Sequence, residues 1–547
     1  MKNMEKEKEM EWNSLLNGDR RRVSKRDKKQ KDAEIYDLFS DHRNEFERDY
    51  DRIMGSSSLR RLQDKAQVFP LQTSDFIRTR LTHSMEVSAI ARSFGVWLDD
   101  WLLKNKKIEK DDLRKIPSIL ATAGLVHDIG NPPYGHYGED IIKKWFKNYF
   151  EKMNKTKKNM LKELCVIKVR KNKKNNMVIS SKLNVSKSIK ISSLESSKNI
   201  LTPEQKNDFI HFDGNAQGLR ILTRLQVLND QYGINFTYGT LSVLLKYPYD
   251  SSNEIAKKEK KFGYFQQDKA IGEKIINETT KMSGKRNPLT YFLEAADDIA
   301  YLGADIEDGV KKKLIPWELV FEKLIKSVTE EESDLYKSSE ERLLYNEVYS
   351  AYQNDIDELY EKHKQVKKDG FPDYLLTSAQ NFKAWVQGQI IKEVKSVFIK
   401  DYELIMQGKL KKDFISKTDN AKNLDSLLRS LLKDYVFCSR EVLSLELVGD
   451  SVLSDLLNMF IKECITEVDC SFETDSRSKA GKLFKMISEN FVFIHLMNDN
   501  FPDEKIKKTL KDLSLYEKLL LITDFISGMT DSYALDLHQK LKGVKMP

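Results

Sequence analysis

Three of the eight histidines in this 547-residue chain, His83, His127 and His136, fall in one short region, and Asp128 follows His127 directly. A divalent cation is held by imidazole nitrogens and carboxylate oxygens that converge from separate elements. His83 near the start of one helix and the His127-Asp128 pair at the end of another meet this need if the two helices pack antiparallel. A further carboxylate must come from a distant segment. The strongest source is LTYFLEAADDIAYLGADIEDG, where Asp297, Tyr301 and Asp305 stand at i, i+4 and i+8. On a helix these share one face within about 80° of arc. One carboxylate would serve the cation and the other two groups a substrate. A lone histidine is more often structural than a ligand, so His42, His211, His363, His495 and His538 receive no role.

The elements that must carry these residues are helical. With only 23 glycines and 11 prolines the chain has about half the usual share of breakers. Residues 81–103 read as one helix, with Val87, Ile90, Ala91 and Phe94 at helical spacing. The apolar run 119–126 ends at the His-Asp pair. GNPPYGH breaks it, and a new helix is expected over 137–150. Residues 152–199 form a Lys-, Ser- and Asn-rich surface insertion, in which MVISS and IKISS suggest a small hairpin. Residues 311–368 suggest long exposed charged helices, closed by the break DGFPD at 369–373. The expected division is a polar tail (1–31), a core (32–373) and a helical C-terminal region (374–547). The fold class is all-α.

Composition excludes several function classes. No run of about 18 apolar residues is present, and the charged N-terminus MKNMEKEKEMEW lacks a signal segment, so a cytoplasmic protein is expected. Cys165, Cys438, Cys464 and Cys470 form no CxxC pair, which argues against a disulfide framework or a cysteine zinc site. The net charge of +8 includes 84 acids. It fits an anionic substrate, but solubility alone explains it equally well.

Six ordered segments go further: RTRLTHSMEVSAIAR, GLVHDIGNPPYGHYGED, FDGNAQGLRIL, FTYGTLSVLLKYP, LEAADDIAY and ISGMTDSYA. In content and order they resemble the signature segments of the dGTP triphosphohydrolase family, within the HD-domain superfamily. The likeness runs from about residue 43 to residue 535. It implies an HD-domain helical fold whose C-terminal region completes the nucleotide pocket. It implies hydrolysis of dGTP to deoxyguanosine and inorganic triphosphate. It also implies the metal ligands His83, His127, Asp128 and Asp297. Asp297 is chosen over Asp298 because related enzymes carry the ligand directly after the small residue. The cation implied is Mn²⁺ or Mg²⁺, with iron as a further option. His136 is the candidate acid for the leaving 5′-oxygen, oriented by Glu139 one turn on. The reverse assignment, with His136 assisting attack, stays open.

The same resemblance implies the substrate contacts. Arg80, Lys246, Tyr247 and, more weakly, Lys261 would meet phosphate, and Asn215 would be a polar contact. Tyr301 would pack on the C2′ side of the sugar, and Asp305 would accept from the 3′-hydroxyl. Phe437 and Glu446 would stack on guanine and accept from its N1–H and 2-amino group, a pairing that adenine cannot satisfy. Asp213 departs from the family's common Glu, and the insertion departs in length. Family members are commonly oligomeric, which implies a homo-oligomer, a hexamer being one form. The basic insertion raises single-stranded DNA as a partner, although a solvated loop is the stronger reading because aromatic residues are nearly absent from it. Two other functions stand beside the leading one: broader dNTP hydrolysis, and a catalytically silent nucleic-acid-binding regulator.

Overall fold

The structure, a computed structural model, describes residues 8–22, 41–69, 77–164, 168–171, 177–180, 199–226, 230–327, 335–466, 470–497 and 508–546; between 156 and 198 it describes backbone elements only. Among these residues the fold is all-α apart from one small hairpin. No described helix is long and apolar enough to cross a membrane. In the hairpin Lys168–Lys171 pairs antiparallel with Met177–Ser180. MVIS is therefore a strand, but its partner is KVRK rather than IKISS, which lies outside the described residues. The shorter connection wins because closing it costs less chain entropy.

The chain divides into two compact units, each drawn from three stretches: Met1–Ile129, Asn235–Pro248 and Ala270–Leu447 in the first, Gly130–Ile234, Tyr249–Lys269 and Val448–Pro547 in the second. In the first unit, helix Arg80–Lys104 packs beside helices Lys115–Val126 and Pro288–Lys311. The Arg80 helix starts where Thr79 accepts from the Thr82 amide in a capping box. The Pro288 helix starts at Asn287, which accepts from the Leu289 amide, with proline at the first helical position. Phe292 on that helix meets Phe94 and Phe398 at ring separations of 5.4 and 5.0 Å. Each such aromatic buries enough apolar surface to contribute about 1.5–3 kcal/mol.

Two parts of this unit refine the expectation. The EWNSLL segment, set apart from the polar tail by its apolar residues, packs in: Met10 just before it, Trp12, Leu15 and Leu16 are buried in the core, and the Trp12 indole donates to Tyr402 at 2.9 Å. The charged middle region does form helices, Trp317–Lys326, Ser339–Ala351 and Gln353–Lys368, but these are only half exposed. Phe321 and Leu324, Tyr345 and Val348, and Ile356 and Leu359 are buried pairs at helical spacing, one pair on each of the three helices.

Glycine sets how closely the first two helices approach. A Cβ at Gly124 would lie 2.6 Å from the Ser88 Cα, and one at Gly95 would lie 2.6 Å from the Pro117 Cα. Both obstacles are backbone, so neither can swing away. This close approach carries His83 and His127 toward each other. Gly124→Ala should therefore force the helices apart and destabilise the protein by about 1–3 kcal/mol. Gly388→Ala, in an exposed-side helix position with nothing within 4 Å, should stabilise it by about 0.5–1 kcal/mol. Paired denaturant melts decide the matter; equal midpoints for the two variants would count against this account.

The second unit is built around helix Leu515–Ser527, in which every residue except Glu517 is buried. Phe146, on helix Gly135–Leu164, packs against Phe209 at 4.6 Å. At the centre Arg220, fully buried, donates to Asp524 (2.9 Å) and to Asp268 (2.9 Å). His495 and Gln217 also reach Asp524, each at 2.9 Å.

Candidate metal centre and surrounding residues

In the first unit His83, on the first turn of its helix, and His127, at the C-terminal end of Lys115–Val126, converge on Asp297 from the middle of the Pro288 helix. His83 Nε2 is 3.0 Å and His127 Nε2 3.4 Å from Asp297 Oδ1. One ligand atom from each of the three lies within 4.8 Å of the others. Asp128 Oδ2 is 3.6 Å from His127 Nε2. The His127 Nδ1–H donates to the Gly124 carbonyl at 2.8 Å. That bond fixes the ring's orientation and turns Nε2 toward the carboxylates. His127 Nε2 is buried and makes no hydrogen bond among the described residues.

These donors fit a divalent cation. Bonds of about 2.1 Å place neighbouring ligands of an octahedron about 3 Å apart, and the observed separations start at 3.0 Å. Burial works against charge on Asp297, yet His127 and His83 hold it well below the usual carboxylate range. Against its own burial, His127 is raised to about 9 by Asp128 and Asp297. A cation brought to Nε2 meets the same two negative charges.

Of the neighbouring candidates, Arg80 is buried and donates to Asp128. This guanidinium, which the resemblance directs at phosphate, thus also braces the Asp128 carboxylate beside the cluster and, after the opposing effect of burial, lowers its pKa. Asp298 turns from the imidazoles to Arg429, 2.7 Å away, which separates it from its neighbour Asp297. Lys246 Nζ is 3.0 Å from Glu294 Oε1, and Tyr247 lies under both Lys246 and Arg286. Along the same helix Tyr301 is half-buried, and Asp305 is 1% exposed with no hydrogen-bond partner for either oxygen among the described residues. Burial, then Asp308, push the Asp305 carboxyl well above its ordinary range. Phe437 packs against the first unit's core, and Glu446 is half-buried with no ion pair among the described residues.

His136, Glu139, Asn215 and Lys261 belong to the second unit. The His136 side chain is 79% exposed, with Nδ1 3.7 Å from Glu139 Oε1. Glu139 is buried, accepts from the Gly214 amide at 3.0 Å, and lies 3.8 Å from Lys261. Burial opposes its ionisation, but His136, Lys261 and Lys143 hold it at about 2. Lys261 is nearer to Asp213, at 3.1 Å. Asp213 also caps helix Gly214–Arg220 and accepts from the Asn215 amide and side chain at 2.8 and 2.9 Å. The shorter acid at this position is thus committed to capping and to Lys261. Sequence reasoning missed the Glu294–Arg286 and Asp213–Lys261 pairings. Glu294 carried one usable signal, its place one turn before Asp297 on the same helix face.

The HD domain model matches residues 80–207, a span that includes His83, His127, Asp128 and His136. A deoxyguanosinetriphosphate triphosphohydrolase-like protein of Listeria innocua is 37% identical over 540 residues, covering 98% of this chain and all of the relative. A protein of the same description from Synechocystis is 29% identical, over 98% of this chain and all of the relative. A deoxyguanosinetriphosphate triphosphohydrolase of an Enterobacter species is 28% identical, over 91% of this chain and 94% of the relative. With its paired imidazoles and carboxylate in place and its likeness extending from end to end, the chain belongs to the deoxyguanosinetriphosphate triphosphohydrolase-like family of HD-domain nucleotide phosphohydrolases.

Proposed function

We propose that this protein hydrolyses dGTP to deoxyguanosine and inorganic triphosphate. The observation that supports it most is the His83–His127–Asp297 cluster, whose His127 Nε2 has no hydrogen-bond partner among the described residues, in a chain 37% identical along its length to a relative of that description. His83, His127, Asp128 and Asp297 would hold Mn²⁺ or Mg²⁺. Bound there, the cation supplies Lewis acidity, polarising a phosphoryl oxygen and easing loss of a proton from water.

The remaining work falls to the chain's own groups. Arg80, Lys246, Tyr247 and Lys261 bind the triphosphate, with Asn215 as a polar contact. Tyr301 excludes a 2′-hydroxyl, and Asp305 meets the 3′-hydroxyl. Phe437 stacks on guanine, and Glu446 accepts from its N–H edge. His136 delivers a proton to the departing 5′-oxygen, and ionised Glu139 favours the protonated ring. In the balanced reaction the bond between the α-phosphorus and the 5′-oxygen breaks, water's oxygen joins phosphorus, and a proton reaches the nucleoside.

Chromatography of the products from dGTP tests this directly. Deoxyguanosine and triphosphate in equal amounts are expected. Deoxyguanosine monophosphate with pyrophosphate would overturn the bond assignment, and equal rates on all four dNTPs would overturn the guanine contacts.

A further inference from the structure

Two cations stand beside the candidate metal centre and share one carboxylate. Glu294 lies one helical turn before Asp297, its side chain 10% exposed. Its Oε1 is 3.0 Å from Lys246 Nζ, and its Oε2 is 3.0 Å from Arg286 Nη1. The Arg286 guanidinium is in turn 5.7 Å from the ring centres of both Tyr247 and Tyr291. Lys246 is close enough to Asp297 for that charge to contribute to holding it protonated, after the opposing effect of burial and the larger contribution of Glu294.

This arrangement costs free energy unless an anion is shared. Lys246 and Arg286 repel one another, and Glu294, the carboxylate set between them, carries a single negative charge. Lysine has a flexible stem whose freedom costs about 2 kcal/mol to remove. An acceptor fixed on a rigid, largely buried helix removes that freedom before a ligand arrives.

We infer that Glu294 is a positioning residue, which holds Lys246 and Arg286 as a paired anchor for the triphosphate of the substrate. The inference rests on the proposed reaction for the identity of its ligand. Glu294 itself touches no phosphate; it acts through the two cations.

The test compares E294Q, E294D and the unaltered protein, all loaded with Mn²⁺. In E294Q the KM for dGTP and the inhibition constant for inorganic triphosphate should both rise about tenfold, the loss of roughly one charged hydrogen bond. The kcat should stay within about threefold, and inhibition by deoxyguanosine should not change. E294D, which keeps the charge on a shorter arm, should recover part of the loss. Unchanged KM and triphosphate inhibition, with only a lower melting temperature, would reduce Glu294 to a structural ion pair and overturn the inference. Calorimetric titration with inorganic triphosphate gives the same comparison without turnover. If the unaltered protein releases no triphosphate from dGTP, the proposed reaction fails while this titration still decides the role of Glu294.

Discussion

Asp297→Asn is expected to lower turnover by about a thousandfold or more and to strip the protein of its divalent cation. Asp297 is the carboxylate on which both imidazoles converge, at 3.0 and 3.4 Å. Asparagine keeps the shape but not the charge, and an amide nitrogen turned toward the site offers no lone pair to a metal. A cation that stabilises developing phosphoryl charge is worth several kcal/mol, and every ~1.4 kcal/mol is a factor of ten in rate. Asp298→Asn is the matched control. Asp298 is the next residue on the helix, yet it pairs with Arg429 rather than with the histidines, so it should keep its metal and most of its rate. Elemental analysis of purified variants, alongside release of triphosphate, gives both readings. If Asp297→Asn kept its metal and a tenth of its rate, the assignment of the site would be wrong.

That contrast between adjacent aspartates marks how far sequence carries. Helix period alone put Asp297, Tyr301 and Asp305 on one face, because 3.6 residues per turn is a fixed geometric rule. The choice between Asp297 and Asp298 came from likeness to related enzymes, and in the structure Asp297 is the one beside the imidazoles. The helix carrying His83 was equally legible from its apolar spacing, and the observed Arg80–Lys104 is close to the expected 81–103. Pairings across long sequence separations were not legible. Nothing local to Lys246 announces Glu294, 48 positions on, because side chains that meet only after folding leave no period in the chain. The N-terminal stretch is polar apart from EWNSLL, and that exception is the part that packs. Charged residues dominate its composition, while the few apolar ones, Trp12, Leu15 and Leu16, decide where it packs. The three-part interleaving of the two units is likewise invisible to any reading that cuts the chain into consecutive pieces.

The second large effect is on stability, and it comes from a group given no part in the chemistry. Asp524→Ala should cost about 3–5 kcal/mol of folding free energy. Asp524 is fully buried and takes two guanidinium hydrogen bonds, on Oδ1 and Oδ2, from Arg220, which is also fully buried. It further engages His495 and Gln217. Burial opposes its charge, but Arg220 and His495 hold its pKa at about 2. Without it, Arg220 keeps only Asp268, which Arg224 also claims at 3.1 Å, and is left as a buried cation with half its partners. The desolvation of an unpaired charge, rather than the strength of the original pair, dominates that cost. The double variant Arg220→Met, Asp524→Leu therefore separates the two contributions: apolar side chains of similar volume remove the cation together with its partner. Its loss should be smaller than that of Asp524→Ala alone, since replacing a buried pair outright is often close to neutral. Linkage adds a pH signature. A carboxyl held below its unfolded value near 4 contributes stability that is present above that pH and is lost as pH falls toward 2. Urea melts of the single and double variants at neutral and acid pH give all of these comparisons. If the double variant were less stable than Asp524→Ala, the ion pair itself, and not the stranded arginine, would be what holds this unit together.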